Sequence, residues 1–149
     1  MIQYSVIVPV YNGETTLKPL NHRINTFFTE NGYSYEVVFV YDCGKDNSWE
    51  ILLELKSLFT DTIKLIKLSR NFGQHNALIC GFEYANGDFI ITMDEDLQHA
   101  PEDISKLIST QQDDNYDVVY GKYENLKHSL FRNIGSRVLK NIIATGIPE

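Results

Sequence analysis

Hydrophobic residues along the chain fall into short runs that alternate with longer amphipathic segments. Five runs rich in Val and Ile predict buried β-strands, at residues 4–10, 37–40, 63–68, 89–93 and 118–120. Four segments between and after them have the spacing of helices, at residues 15–30, 48–59, 75–85 and 102–112. Strands and helices in this alternation predict an α/β fold, with a mostly parallel sheet and helices on both faces.

Polar residues follow each predicted strand. In parallel sheets ligands bind beyond the carboxyl ends of the strands, and here those ends carry both acidic and basic groups. Five loops gathered on one sheet edge with opposite charges indicate a site for a phosphorylated ligand. The residues that follow the strands, in chain order, are Tyr11 and Asn12, Asp42, Arg70 and Asn71, Asp94 and Asp96, and Gly121 and Lys122.

The sequence TMDEDLQHAPED, at residues 92–103, sets Asp94, Asp96 and Gln98 two residues apart at the end of an apolar run. Carboxylates this close repel each other unless a cation or a proton lies between them. Two carboxylates and a neutral amide form the oxygen ligand set that Mg²⁺ or Mn²⁺ prefers. The pattern predicts a divalent-cation site that binds a diphosphate.

A helix N-terminus is the simpler alternative for the same stretch. Acidic side chains there accept hydrogen bonds from free N–H groups and interact favourably with the helix dipole, and Pro101 and Glu102 are typical of a first helical turn. Capping explains one aspartate and leaves the regular spacing of the three side chains unexplained. The metal interpretation is therefore favoured.

Several other phosphate and metal sites are disfavoured by the motifs that the chain lacks. It has neither a G-x-G-x-x-G after the first strand nor a G-x-x-x-x-G-K-[ST]. The acidic stretch also differs from an EF-hand loop, with His99 in place of the turn glycine and Ser105 in place of the last glutamate. Without a glycine-rich loop, the cation and Arg70 are expected to neutralise the phosphate charge.

Composition and charge narrow the class of protein. The 149 residues suffice for one domain with a real core, and 43% are hydrophobic. Thirteen basic against 20 acidic residues give a net charge of −7, which argues against a nucleic-acid partner. The two cysteines, Cys43 and Cys80, have no metal-type spacing, so a reduced cytosolic protein is expected. We identify neither a signal peptide nor an apolar run of membrane-spanning length.

Four ordered segments together resemble the inverting nucleotide-sugar glycosyltransferases of family 2. The branch they most resemble contains the polyprenyl-phosphate sugar synthases (dolichol-phosphate mannose synthase-like) and bacterial surface-polysaccharide transferases. The resemblance covers nearly the whole chain and implies the GT-A fold, a Rossmann-like and mostly parallel sheet with helices on both faces. The segments are VIVPVYNGE, EVVFVYDCGKDNSWEIL, LSRNFGQHNALICGFEYANGD and MDEDLQHAPEDI.

The resemblance also implies roles for individual residues. The segment from Pro9 to Tyr11, together with Asp42, is implied to bind the nucleoside of the donor. Asp94 and Asp96 are implied to bind the metal and the diphosphate, and Gln98 to complete the metal ligands. Asn12 and Arg70 are further candidates for donor contacts, with a structural ion pair as the alternative for Arg70.

The chain departs from the family pattern after the second strand. Many members read Asp-Asp-Gly-Ser, whereas this chain has Tyr41, Asp42, Cys43 and Gly44, so one acidic contact to the base is absent. The family's glutamate after the first strand comes one position late, at Glu14. These departures leave uracil and guanine both open as the base of the donor.

Residues 126–143 form a basic, amphipathic segment with Leu130, Ile134, Val138 and Ile142 on one helical face. One interpretation is a last helix that covers the sheet. The other is an interfacial helix near anionic lipid, in which Arg132 and Arg137 bind the phosphate of a lipid acceptor and contribute to catalysis. A second copy of the chain is a further candidate partner for the apolar face.

The sequence thus predicts a transferase that moves a sugar from a nucleoside diphosphate to a lipid-phosphate or glycan acceptor, in polysaccharide or glycolipid synthesis. The expected location is the cytoplasmic face of the cell membrane. Residues 1–149 are interpreted as one donor-binding domain, the N-terminal part of a longer protein. One alternative is a non-catalytic nucleotide-sugar binding module with an altered base loop. Another is a metal-dependent hydrolase, disfavoured because no nucleophile stands beside the acidic stretch.

Overall fold

The computed structural model describes residues 1–114 and 116–121. The chain divides into two compact units, Met1–Ser109 and Thr110–Glu149. The first unit contains a parallel sheet of four strands: β1 (Tyr4–Val10), β2 (Tyr35–Tyr41), β3 (Ile63–Lys67) and β4 (Phe89–Thr92). Their order across the sheet is β3-β2-β1-β4, which confirms the predicted parallel α/β architecture.

Helices alternate with the strands as the sequence pattern predicts. Helix α1 (Leu17–Glu30) follows β1, α2 (Ser48–Leu58) follows β2, and α3 (Gln74–Tyr84) follows β3. The last predicted helix is divided into a 3₁₀ turn at Pro101–Asp103 and helix α4 (Ile104–Asp114). Proline at the first position of this turn lacks the N–H that a helix start would leave unbonded.

The strand predicted at residues 118–120 is wrong. The described part of the second unit gives these residues no regular secondary structure, and Val118 and Tyr120 are 63% and 88% exposed. Apolar residues favour a strand when they pack on a half-buried pleated surface. Side chains this exposed have no such surface, so the local pattern does not produce a strand.

Both faces of β1 are buried, and its alternate side chains point to opposite sides of the sheet. Val6, Val8 and Val10 pack in one core cluster with residues of α1, α2 and the start of α4. Ile7 packs on the other face with Val38 and Val40 of β2 and with Ala77 of α3. Burial on both faces explains why β1 is apolar along its whole length.

A buried carboxylate joins the beginnings of the strands. Glu36, at the start of β2, is 4% exposed. It accepts hydrogen bonds from Ser5 Oγ at 2.8 Å and from the backbone N–H of Asn86 at 2.7 Å, and it pairs with Lys64 Nζ at 3.2 Å. Burial alone would raise the pKa of Glu36, but these partners outweigh it and lower the pKa. Glu36 therefore connects β1, β2, β3 and the segment that leads into β4.

Replacing Glu36 by Gln should make stability less dependent on pH. Because folding lowers the pKa of Glu36, the ionised group stabilises the fold above the unfolded-state pKa, and this contribution is lost as the pH falls through the folded-state pKa. We expect Glu36→Gln to lower the free energy of unfolding by about 2 kcal/mol at neutral pH. Urea unfolding of both proteins should show the difference shrinking as the pH is lowered into the acidic range and disappearing below the folded-state pKa of Glu36.

The matched control is Glu54→Gln. Glu54 forms an exposed ion pair with Lys18 at 2.7 Å, so its substitution should change the free energy of unfolding by less than about 0.5 kcal/mol at neutral pH and at acidic pH. A destabilisation by Glu36→Gln that is equally large at both pH values would contradict the assigned role of the charge.

Candidate functional site

A cleft lies at the carboxyl ends of the strands, where the parallel sheet places the loops after β1, β2, β3 and β4. Its volume is about 350 Å³, which falls in the range of small-molecule sites. Its walls come from Pro9, Val10, Tyr11, Asp42, Asn71, Gly73, Gln74, Asp94, Glu95 and Asp96.

Five of the residues to which the family resemblance assigns a role line this cleft: Pro9, Tyr11, Asp42, Asp94 and Asp96. They come from the end of β1 and from the loops after β1, β2 and β4, so the fold brings together residues that are far apart in the sequence. Their roles in binding stay predictions. The geometry supplies the proximity that those roles require.

Three other predicted residues are not part of the cleft lining. The side-chain oxygen of Asn12 accepts the backbone N–H of Lys45 at 2.7 Å, and the guanidinium of Arg70 lies 4.8 Å above the ring of Phe72. The side chain of Gln98 is exposed. The predicted acceptor-binding residues Arg132 and Arg137, and the amphipathic segment around them, lie outside the described residues.

Asp42 supports the loop that follows β3. It is 2% exposed, and its two carboxylate oxygens accept the backbone N–H groups of Phe72 at 2.7 Å and Gly73 at 2.8 Å. Gly73 has a positive φ of 88°, a conformation that glycine adopts without strain, and α3 begins directly after it. Asp42 thereby fixes the start of α3 against the cleft.

Asp94 is held from two sides. Gln74 Nε2 donates to Asp94 Oδ1 at 2.5 Å, and His99 Nε2 lies 3.7 Å from Asp94 Oδ2. The side chain is nevertheless 41% exposed, so it is accessible from the cleft. Asp96, two residues on, accepts the backbone N–H of Gln98 at 2.9 Å, which closes a tight turn around Leu97.

Glu95 and Gln74 are site residues that the sequence interpretation missed. Glu95 lines the cleft between the two aspartates, and its Oε1 accepts the backbone N–H of Tyr11 at 3.1 Å. Burial raises the pKa of Glu95, and the charges of Asp94 and Asp96 add to the increase. Its place between two candidate ligands was the available signal, whereas Gln74 became visible only through its contact with Asp94.

The loops after β1 and β2 are joined by a network of hydrogen bonds. Gly13 N donates to Ser48 Oγ at 2.8 Å, and Glu14 N donates to Asp46 Oδ2 at 2.9 Å. Burial alone would raise the pKa of Asp46, but hydrogen bonds from Ser48 and Glu14 outweigh it and lower the pKa. One wall of the cleft is thus tied to α2, which begins at Ser48.

The unusual residues after β2 fit this network. A side chain at Gly44 would place its Cβ 2.8 Å from the backbone nitrogen of Asn12, so the close approach of the two loops requires glycine. Cys43 has a positive φ of 53°, and its Sγ lies 2.9 Å from the carbonyl oxygen of Leu68. The residues that depart from the family pattern therefore form a compact, hydrogen-bonded loop.

The charge of the cleft is strongly negative. Four of its lining residues are acidic and none is Lys or Arg among the residues that the structure describes. In the same part of the chain, no three His, Cys, Asp or Glu side chains converge as a ready-made metal site. The chemistry still fits Mg²⁺ or Mn²⁺, since such ions are commonly held by one or two carboxylates together with substrate phosphates and water.

A protein-family sequence model identifies the family of the chain. The model described as Glycosyl transferase family 2 matches residues 5–139, which is most of the chain. The chain belongs to glycosyl transferase family 2. The narrower resemblance to polyprenyl-phosphate sugar synthases rests on the motifs alone.

Several solved structures share the fold. S. aureus TarS 1–349 in complex with UDP is 25% identical with a TM-score of 0.67, and the match covers 86% of this chain and 37% of that one. GalNAc-T7 with UDP, GalNAc and Mn²⁺ is 26% identical with a TM-score of 0.57, covering 64% and 18%. The mannosyltransferase PcManGT from Pyrobaculum calidifontis, with GDP-Man and Mn²⁺, is 23% identical with a TM-score of 0.57, covering 73% and 32%.

The chain spans about 37% of the TarS 1–349 structure that it matches. The likeness therefore concerns only a part of that larger protein.

Removing the carboxylate of Asp42 should destabilise the fold more than removing that of Asp94. Asp42→Ala leaves the N–H of Phe72 without its acceptor and leaves Gly73 N with Asn71 Oδ1 at 3.1 Å, which should lower the free energy of unfolding by about 1 to 3 kcal/mol. Asp94→Ala removes a half-exposed group from a crowded acidic loop and should cost less than about 0.5 kcal/mol. Chemical denaturation of the two variants measures the difference, and equal stabilities would contradict the structural role of Asp42.

Proposed function

We propose that the protein is an inverting, metal-dependent glycosyltransferase that moves a sugar from a nucleoside diphosphate to an acceptor. The observation that carries this proposal is the cleft itself, which Asp94 and Asp96 line together with the Pro9–Tyr11 segment and Asp42. Membership of glycosyl transferase family 2 gives the class of reaction. The UDP in the TarS and GalNAc-T7 structures supports a nucleoside diphosphate as the donor group.

The electrostatics of the cleft favour a cation. A diphosphate would enter a site lined by four carboxylates and, among the described residues, by no basic side chain. Like charges at such distances repel strongly unless a cation lies between them. Asp94 and Asp96 are the proposed metal ligands, with Gln98 as a third, and GalNAc-T7 with Mn²⁺ supports the choice of ion. When bound, the metal would neutralise charge that develops on the departing diphosphate.

The protein groups would position the donor. The Pro9–Tyr11 segment and Asp42 are proposed to contact the nucleoside, with Asn12 and Arg70 as further contacts. A single displacement inverts the configuration at the anomeric carbon. The acceptor oxygen forms a bond to that carbon while the bond between the carbon and the diphosphate oxygen breaks. The electron pair of the broken bond leaves with the nucleoside diphosphate. Orientation and electrostatic stabilisation supply most of the rate increase in such a reaction.

A polyprenyl phosphate is the proposed acceptor, in the synthesis of surface polysaccharide or glycolipid. Its phosphate oxygen is already anionic and needs no strong general base, whereas a hydroxyl acceptor would transfer its proton to a carboxylate such as Asp96. Arg132 and Arg137 are the proposed partners of the lipid phosphate, at the cytoplasmic surface of the membrane. In the part of the chain that the structure describes, we find no helix with the length and apolar character of a membrane span.

Nucleotide affinity should depend on the metal through Asp94. We expect Mn²⁺ to tighten binding of UDP or GDP at least about tenfold, equivalent to roughly 1.4 kcal/mol, and Asp94→Asn to abolish most of this gain. Isothermal titration calorimetry with and without Mn²⁺, and after addition of a chelator, measures the effect. Equal affinity with and without metal in the wild-type protein would rule out the metal role.

The control variant is Asp103→Asn. Asp103 is an exposed acidic residue that pairs with Lys106 at 2.7 Å and is not part of the cleft lining. It changes the net charge as Asp94→Asn does, so a metal effect that depends only on overall charge would disappear in both variants. We expect Asp103→Asn to behave as wild type.

Slow hydrolysis of the donor distinguishes a transferase from a binding module. A transferase site exposes the anomeric carbon to water when the acceptor is absent, so a panel of UDP- and GDP-sugars with Mn²⁺ should yield free sugar from at least one donor. Asp96→Asn should reduce this rate at least about tenfold, because it weakens stabilisation of the leaving group. Binding of a donor without any metal-dependent turnover would favour the non-catalytic alternative.

A further inference from the structure

The carboxylate of Glu95 reaches across from the acidic loop to the loop after β1. Its Oε1 accepts the backbone N–H of Tyr11 at 3.1 Å, although the neighbours of Glu95 in the chain are the proposed metal ligands. Backbone hydrogen bonds between β1 and the β4 segment extend to the N–H of Met93, which donates to the carbonyl of Ile7 at 3.0 Å. Glu95 continues that connection to the end of β1.

Packing fixes the side chain in this position. A methyl group at Gly13 would stand 3.1 Å from Cγ of Glu95, so the glycine leaves the space that the glutamate occupies. Leu97, two residues further on, packs against the main core cluster. The acidic loop is therefore anchored in the core by Leu97 and on the β1 loop by Glu95. The Glu95–Tyr11 hydrogen bond is thus a direct link between the two loops.

We propose that Glu95 is a positioning residue that couples the cation held by Asp94 and Asp96 to the nucleoside held by the Pro9–Tyr11 segment. This inference rests on the proposed function, because it assumes that metal and nucleoside bind at these two places. Binding of a cation fixes the acidic loop, and the hydrogen bond from Tyr11 then fixes the loop that contacts the nucleoside. Each ligand thereby favours the arrangement that the other requires, which is a reciprocal coupling.

The coupling can be measured as a ratio of affinities. For UDP or GDP, whichever binds more tightly, the ratio is the dissociation constant without Mn²⁺ divided by the constant with Mn²⁺. Glu95→Ala removes the acceptor and should reduce this ratio by about fivefold or more, the usual lower range of coupling between sites. Glu95→Gln keeps a carbonyl oxygen for the Tyr11 N–H and should stay within about twofold of wild type, since that is a small part of such couplings.

Gly13→Ala provides an independent test that removes no functional group. The added methyl group would stand 3.1 Å from Cγ of Glu95 and force a shift of a few tenths of an ångström in this contact, so we expect the ratio to fall in the same direction as for Glu95→Ala and by a smaller factor. Combining the two substitutions should produce little further loss, because both act through one contact and their effects are then not additive. Glu54→Ala, on an exposed surface outside the cleft lining, serves as the control and should leave the ratio unchanged.

The outcomes separate this inference from the proposed function. A wild-type ratio of one would remove the metal role and the coupling together. A large wild-type ratio that is unchanged in Glu95→Ala would overturn the inference and leave the metal role intact. If Glu95→Ala weakened nucleotide binding equally with and without Mn²⁺, the role of Glu95 would be purely structural. If the ratio fell equally in Glu95→Gln and Glu95→Ala, Glu95 would act through its charge. Either result would contradict the positioning role.

Discussion

The parallel pairing of β1 with both β2 and β4 is the constraint on which the rest of the structure depends. Tyr4 pairs with Tyr35 of β2 on one side and with Phe89 of β4 on the other, so three strands begin at one edge and end at the opposite one. Parallel strands require crossover connections, and the helices that supply them cover both faces of the sheet. The loops that leave the carboxyl ends then have no other place to lie than around one cleft.

Buried carboxylates at the two ends of β2 connect the neighbouring strands and helices of this arrangement. Glu36 joins the beginnings of the strands through Ser5, Asn86 and Lys64. Asp42 joins the end of β2 to the start of α3 through two backbone N–H groups. Both are nearly inaccessible, and such groups stabilise a fold when every oxygen finds a donor. The beginnings of the strands and the loop after β3 are therefore placed by groups that are themselves firmly held.

The cleft combines this rigidity with an excess of negative charge. Asp94, Glu95 and Asp96 are consecutive, and Asp42 lies on the same lining. A rigid acidic site binds a cation and an anionic ligand together better than it binds the anion alone, since the cation removes the repulsion. In the proposed reaction the carboxylates would hold the cation, and the cation would stabilise the charge of the departing diphosphate. Glu95 would make the two binding events depend on each other.

The sequence by itself determined the fold class, the first four strands, the helices between them and five of the residues that line the cleft. The strands and helices depend on local periodicity, and the site residues depend on the rule that ligands bind at the carboxyl ends of parallel strands and on motifs that resemble those of the family. All of these can be read from neighbouring residues. Only the tertiary structure decided the rest. Residues 118–120 have strand-like composition but no surface on which to pack, and Gln74 and Glu95 enter the site through contacts with residues 20 and 84 positions away. Distances of that kind are set by packing and crossover geometry, which no local pattern encodes.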